Sequence, residues 1–269
     1  MNKPLIITIA VNGALATKSD NPAVPYSAAD IAAEIIRAAE AGASMAHVHT
    51  RAQDGAMTQH IPDYQEIIER VGERSDIVLE LSLGSRGFTT EQALEPLALK
   101  PLIASFPMSA RRDSEAGGTA LEDTARRMLK NGTRPAFAIN SNATKATVVD
   151  LIQRGLAGSI PVVSVGVDPN GHTNQLAANL NALVADLPDR TEWILAKSGK
   201  TGAAQYVLRA LAIASGGHIR VGFEDMVSTY DDAGLAPGNA WYVDNMAALA
   251  AKMGRPIATP SDVRSMLEL

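Results

Sequence analysis

Two imidazoles spaced two residues apart, in Ala46-His47-Val48-His49, are the first residues whose types could do chemistry. On an extended strand, residues two apart point to one face, so both rings would project together. A second run, His218-Ile219-Arg220-Val221-Gly222-Phe223-Glu224, alternates in the same way. Its even positions put Arg220, Gly222 and Glu224 on one face and leave Val221 and Phe223 for the other. Two imidazoles and a carboxylate with an open position form a catalytic zinc set. Iron or manganese suit similar ligands, so zinc is the preferred ion and not a necessity. The bland alternative is a pair of hydrogen-bonded core histidines. An H-x-H pair at a strand end, with a carboxylate on a nearby strand, favours the metal. His60, His172 and His218 lack such partners and read as surface or loop residues.

Something must bring the two runs together. Short β-rich segments alternate with Ala-rich helical ones along the whole chain. The expected strands are Leu5–Val11, Met45–His49, Ile77–Ser82, Leu102–Phe106, Ala136–Asn140, Pro161–Gly166, Trp193–Lys197 and Ile219–Glu224. Helices are expected over Ala28–Ala41, Tyr64–Glu73, Ala120–Leu129, Ala143–Arg154, Gln175–Ala185 and Ala203–Ala214. Eight strands with intervening helices predict an α/β fold whose parallel sheet closes as a (β/α)8 TIM barrel, in a single domain spanning 1–269. The competitor is an open doubly wound sheet, but Asn12-Gly13-Ala14-Leu15 does not supply its G-x-G-x-x-G turn. In a closed barrel the second and eighth strands both flank the first, so His47, His49 and Glu224 can converge at the C-terminal mouth. Ser27 is placed to cap the first helix, Gly42 to stop it, and Pro62 to open the second.

Composition narrows the field further. The chain has 269 residues, 46% of them hydrophobic, which suits one barrel with an ample core. A net charge of -5 argues against a nucleic-acid partner, because neutralising phosphates needs clustered Lys and Arg. No cysteine is present, which excludes disulfides, thiolate nucleophiles and Cys-type zinc sites. Lys3, the apolar stretch from Leu5 and Ala14-Leu15-Ala16 imitate a signal peptide, but Pro4, Asn12 and Gly13 interrupt the pattern. No apolar run approaches the roughly 20 residues that cross a bilayer, so no membrane contact is expected and a cytoplasmic address is the default.

The longer motifs carry a resemblance. Ala41-Gly42-Ala43 leading into His47-Val48-His49, then Gly216-Gly217-His218-Ile219-Arg220-Val221-Gly222-Phe223-Glu224-Asp225, resembles the β-keto acid cleavage enzymes. Leu97-Ala98-Leu99-Lys100-Pro101 and Gly254-Arg255-Pro256-Ile257-Ala258-Thr259-Pro260 extend the likeness nearly end to end. The resemblance implies a zinc-bearing (β/α)8 fold, assembly as a homo-oligomer, and exchange between a small keto acid and acetyl-CoA or another acyl-CoA. It implies zinc on His47, His49 and Glu224, and matches Ser82, Arg220 and Asp225 to active-site positions. The chemistry of those residues agrees. A divalent cation that polarises a β-keto group stabilises carbanion character at the neighbouring carbon. Asp225 could accept or return a proton while Arg220 orients it through paired hydrogen bonds. Ser82 could donate to developing oxyanion charge.

The chain departs from that pattern at several places. Leu15 and Ala138 stand where many members carry Glu, Met226 replaces an Asn, and the fourth-strand motif is Ser105-Phe106-Pro107-Met108, with Ser105 placed to touch substrate. Leucine can neither pair with an ammonium nor move a proton, so an amino-substituted acid is disfavoured. After the seventh strand, Lys197-Ser198-Gly199-Lys200-Thr201-Gly202 imitates the end of a P-loop, though Ile194 stands at its first glycine position. Gly199 and Lys200 are candidates to hold a CoA phosphate or a carboxylate at a helix start; a solvated loop is the equal alternative. Two other functions stay open: aldol cleavage or hydrolysis assisted by metal without CoA, and a non-catalytic barrel that binds metal or a small molecule.

Overall fold

The computed structural model describes residues 3–84, 87–106, 108, 117–167, 172–196 and 201–269. Besides a short antiparallel pair, Thr50–Arg51 with Met57–Thr58, eight barrel strands lie in it as β1 (Ile7–Ala10), β2 (Met45–Val48), β3 (Val78–Leu81), β4 (Ile103–Ser105), β5 (Arg134–Ile139), β6 (Val162–Val165), β7 (Glu192–Leu195) and β8 (His218–Val221). They close into one all-parallel barrel, β1 lying between β2 and β8. Register places Ala10 beside His47, His47 beside Glu80, and Thr8 beside Arg220. Helices α1 (Ala28–Glu40), α2 (Ile61–Gly72), α3 (Thr90–Leu94), α4 (Gly117–Lys130), α5 (Asn142–Gln153), α6 (Thr173–Val184), α7 (Gly202–Ala214), α8 (Asn239–Lys252) and α9 (Pro260–Leu267) complete the order. No helix among the described residues is long and apolar enough to cross a membrane.

Local chemistry explains the helix boundaries. Ser27 accepts the Asp30 N–H at 3.1 Å, Asp30 lies in the first turn of α1, and Gly42 follows its end at φ 111. Pro62 falls at the start of α2, which begins at Ile61, three residues before the expected Tyr64. The helices α3, α8 and α9 were not among those expected. Helix α9 opens with a Thr259–Asp262 capping box, and its Val263 and Leu267 close the floor of the barrel against Ile6, Met45, Val78, Ile103 and Ile194.

Those floor residues define which positions face inward, and period-two alternation then builds the layer above them. It comprises Thr8, His47, Glu80, Ser105, Ala138, Ser164, Ala196 and Arg220. One half of the ring, from β8 to β3, is charged or polar; the other half, from β4 to β7, carries only small uncharged side chains. The opposite strand faces, such as Ala46, Val48, Phe137, Val163, Ile219 and Val221, pack in the main core between barrel and helices.

Two expectations need correction. The eighth strand ends at Val221, so strand alternation does not carry Glu224 inward. Gly222 turns the chain at φ 127, a conformation open to glycine, and the Asp225 and Met226 N–H groups bond back to its carbonyl at 3.0 and 3.1 Å. His218 is fully buried, not a surface residue. Its Nδ1 accepts the Ile6 N–H at 3.0 Å and its Nε2 lies 3.0 Å from Glu192 Oε2.

Candidate metal centre

His47 is the last inward residue of β2, and His49 follows just past the strand end; both are buried. Glu224 arrives from the turn after β8, where its N–H donates to the Ala10 carbonyl at 3.1 Å. The Nε2 atoms of the two histidines are 3.0 Å apart, and Glu224 Oε2 lies 3.5 Å from each. A triangle of those sides has its centre about 1.9 Å from every corner, so one cation slightly off its plane is within bonding reach of all three. Glu224 Oε2 is buried and accepts no hydrogen bond from the protein, although an uncompensated buried carboxylate oxygen is costly. The donor set and its orphaned oxygen therefore fit a divalent ion.

Neighbouring charges set the electrostatics. Arg220 Nη2 lies 3.1 Å from Glu224 Oε1 and donates to Asp225 Oδ1 at 2.6 Å, while its Nε donates to Asp225 Oδ2 at 3.1 Å. Burial would push the Glu224 carboxyl up, but Arg220 and then the two histidines hold it well below the usual carboxylate range. Burial also opposes charge on His47, yet the carboxylates of Glu224 and Glu80 outweigh it and raise that imidazole. Burial dominates at His49, which is lowered. Glu80 Oε1 lies 3.5 Å from His47 Nδ1, on the ring edge opposite the convergent nitrogens. Such outer carboxylates commonly fix the ring and tautomer of a metal-binding histidine.

The other expected site residues divide into three groups. Arg220 and Asp225 form the paired ion pair beside Glu224, with the Asp225 side chain only 1% exposed. Ser82 follows the end of β3 and lies near His49: a Cβ built on Gly84 would lie 3.1 Å from Ser82 Oγ and 3.8 Å from His49 Cε1. Ser105 faces the barrel interior from β4, and its Oγ accepts the Leu83 N–H at 3.0 Å. Gly199 and Lys200 lie outside the described residues. At the described end of their segment, the Gly202 N–H that opens α7 is held by both carboxylate oxygens of Asp232, each at 3.0 Å.

Several supporting residues escaped the sequence reading. Arg209 and Gln205, one turn apart on α7, reach through to the site. Arg209 Nε donates to the Arg220 carbonyl at 2.9 Å, and Gln205 Nε2 donates to the Asp225 carbonyl at 3.0 Å. The available signal was a lone arginine on an otherwise uncharged helix. Gly13 is the other such residue. At φ 58 it packs against Glu224, where a Cβ would lie 2.6 Å from Glu224 Cβ.

Comparison with known proteins places this geometry in context. Residues 4–269 match the family model described as beta-keto acid cleavage enzyme. The 3-keto-5-aminohexanoate cleavage enzyme of Acetoanaerobium sticklandii is 32% identical over 274 residues, covering 98% of this chain and 97% of that one. The 3-oxoadipate:acetyl-CoA acetyltransferase of Cupriavidus necator is 28% identical over 278 residues, covering 100% and 96%. Among solved structures, apo ObcA superimposes with a TM-score of 0.75 at 20% identity, covering 92% of this chain and 66% of its own. That last likeness concerns the fold.

Proposed function

The chain belongs to the beta-keto acid cleavage enzyme family, and from that premise we propose that it exchanges acyl groups between a small β-keto acid and acetyl-CoA, using zinc on His47, His49 and Glu224. The observation that carries the reading is the convergence of three donor atoms on one point, with Arg220 bridging Glu224 and Asp225 beside it. Zinc is favoured over iron or manganese because nothing in acyl exchange calls for redox chemistry. Acetyl-CoA enters through the relatives, whose names pair it with 3-oxoadipate in one case and 3,5-dioxohexanoate in another.

When bound, the ion supplies Lewis-acid polarisation of the keto group. The remaining work falls to the chain. Arg220 is the cation facing substrate, since Asp225 lies behind it almost fully covered. Asp225 holds that guanidinium through both oxygens, at 2.6 Å for Oδ1 and 3.1 Å for Oδ2, so we assign it the fixing of Arg220 against substrate in place of the direct proton exchange expected from the sequence. Ser82 Oγ already accepts the Gly84 N–H at 3.2 Å, which leaves its own proton to donate to a developing oxyanion. Ser105 offers a second hydroxyl on the interior wall. Gly199 and Lys200 are retained as anion contacts for the CoA or the acid.

The side chain of the acid is proposed to carry no ammonium group. Ala138 is exposed near the C-terminal end of β5 on the small-residue half of the ring, and Leu15 is 59% exposed after the first strand. Neither can pair with an ammonium. A homo-oligomer is proposed through α7, whose exposed positions Ala203, Val207, Leu211 and Ala214 carry no charge.

The test is turnover of a panel of β-keto acids with acetyl-CoA by zinc-loaded protein, with and without a chelator. Zinc-dependent formation of a new acyl-CoA is expected, and a loaded protein that consumes no thioester with any acid refutes the reading. His49→Ala should remove most bound zinc on elemental analysis, whereas Asp225→Asn should keep the zinc and lose turnover.

A further inference from the structure

We propose that Asn239 is a positioning residue for the Glu224 carboxylate, clamping the ends of β1 and β8 together, and that Glu34 anchors it. The inference rests on the reading that His47, His49 and Glu224 hold a divalent ion. Asn239 opens α8 and is fully buried. Its Oδ1 accepts the N–H of Phe223, the residue before Glu224, at 3.1 Å. Its Nδ2 donates to the Val11 carbonyl at 3.0 Å and to Glu34 Oε2 at 2.8 Å, and its backbone N–H donates to the same Glu34 oxygen at 3.0 Å. Both amide hydrogens and the amide oxygen are thus committed.

The placement of those bonds matters more than their number. Val11 leads into Asn12 and Gly13, and Gly13 is the residue packed against the Glu224 side chain. Phe223 and Glu224 present consecutive N–H groups, one to Asn239 and the other to the Ala10 carbonyl at 3.1 Å. The turn that delivers the carboxylate is therefore tied to β1 twice, once directly and once through the Asn239 amide. Gly222 makes the approach feasible, because a Cβ there would lie 2.9 Å from Asn239 Oδ1. Glu34 completes the clamp from α1. It is buried and pairs with Arg37, and it places a carboxylate at the start of α8, where Gly238 offers no side-chain cap. Neither Asn239 nor Glu34 belongs to the convergent ligand set; both act through where Glu224 is held.

The experiment measures the zinc dissociation constant of the full chain by chelator competition, alongside thermal unfolding of the zinc-free protein. Asn239→Ala is expected to weaken zinc by roughly tenfold or more, the usual cost of losing an outer-shell partner. Val148→Ala, a cavity variant in α5 away from the ligands, provides a stability control and should leave zinc affinity within about twofold at a comparable loss of Tm. Glu34→Gln keeps an oxygen that accepts from the Asn239 side-chain and backbone N–H groups and should hold affinity within about threefold of wild type, whereas Glu34→Ala removes that acceptor and should weaken zinc by roughly tenfold. That contrast at Glu34 carries the test should Asn239→Ala fail to fold. Wild-type affinity in Asn239→Ala, equal zinc loss in the Val148 control, or equal affinity in the two Glu34 variants overturns the inference alone. A wild-type protein that takes up no divalent ion overturns the parent reading with it.

Discussion

Replacing Gly13 with alanine tests the metal centre through a residue that offers no ligand atom. Two costs follow from the structure. The backbone sits at φ 58, where an L side chain costs about 1–2 kcal/mol. The new methyl would also lie 2.6 Å from Glu224 Cβ and 3.0 Å from its Cα, while real Cβ contacts essentially never fall under 3.0 Å. Glu224 or the loop must therefore retreat by about 0.4 Å or more, and ligand distances in metal sites tolerate only about 0.2 Å. A misplaced carboxylate should cost roughly 10–100-fold in zinc affinity, or about 1.4–2.8 kcal/mol. Chelator competition reads the affinity, and thermal unfolding of the zinc-free protein reads the backbone cost separately. The expected pattern is a modest Tm loss without zinc and a markedly smaller stabilisation when zinc is added. A variant that binds zinc as tightly as wild type would refute both the packing argument and the place of Glu224 in the ligand set.

Three further outcomes are expected. At the floor of the barrel, burial depresses His218, while His218 and Lys3 overcome burial to depress Glu192. Both folded-state values lie below their unfolded ones, so this stability is present above the unfolded pKa and is lost as the pH falls. The histidine part should begin below about pH 6.5 and the carboxylate part below about pH 4.3. Tm measured against pH should show the first loss, and His218→Gln should flatten it; an unchanged slope in that variant contradicts the assignment. Ala138→Glu adds a carboxylate to the uncharged half of the ring and should raise kcat/KM for an amino-substituted keto acid over a neutral one by about tenfold or more. An unchanged ratio would show that the substituent binds elsewhere. Val207→Lys with Leu211→Glu should lower the solution mass if α7 joins copies of the chain, and unaltered sedimentation removes that face from the assembly.

Much of the architecture could be read from pattern alone. All eight barrel strands overlap their expected segments, because apolar runs between Ala-rich helices leave few alternatives for an α/β chain. The H-x-H pair was legible for the same reason: on a short strand, period two is nearly the whole geometry. The convergence of Glu224 on the histidines was expected on an incomplete ground. Glu224 reaches the histidines through a glycine turn, which strand periodicity does not describe. His218 was misread because its partner Glu192 lies 26 residues away on β7, and barrel closure had to bring the two together. Asn239 and Glu34 are 205 residues apart, and nothing local distinguishes either from a surface residue. Buried polar residues are chosen by long-range partners, whereas hydrophobic periodicity is local.

The two halves of the interior ring differ in how tightly they are held, and that difference bears on how such a barrel can change substrate. On the charged side, Arg220 is fixed by Asp225, whose carbonyl is bonded by Gln205. Arg209 bonds the Arg220 carbonyl, and Asn239 ties the following turn to β1. Truncating any member leaves a buried polar partner unpaired, at a cost of about 1–3 kcal/mol. On the opposite side, the Ser105 hydroxyl bonds the Leu83 N–H, while Ala138 has no side-chain polar group to leave stranded. Substitution at Ala138 therefore changes the shape and charge of the space without breaking the scaffold under His47, His49 and Glu224. This asymmetry predicts an order of tolerance: random replacement at Ala138 should yield folded, zinc-binding proteins with altered acid preference, and replacement at Gln205 or Arg209 should lower stability or zinc affinity before preference shifts. Parallel libraries at these positions, scored for Tm, zinc content and acid preference, would expose the opposite order if the reasoning is wrong.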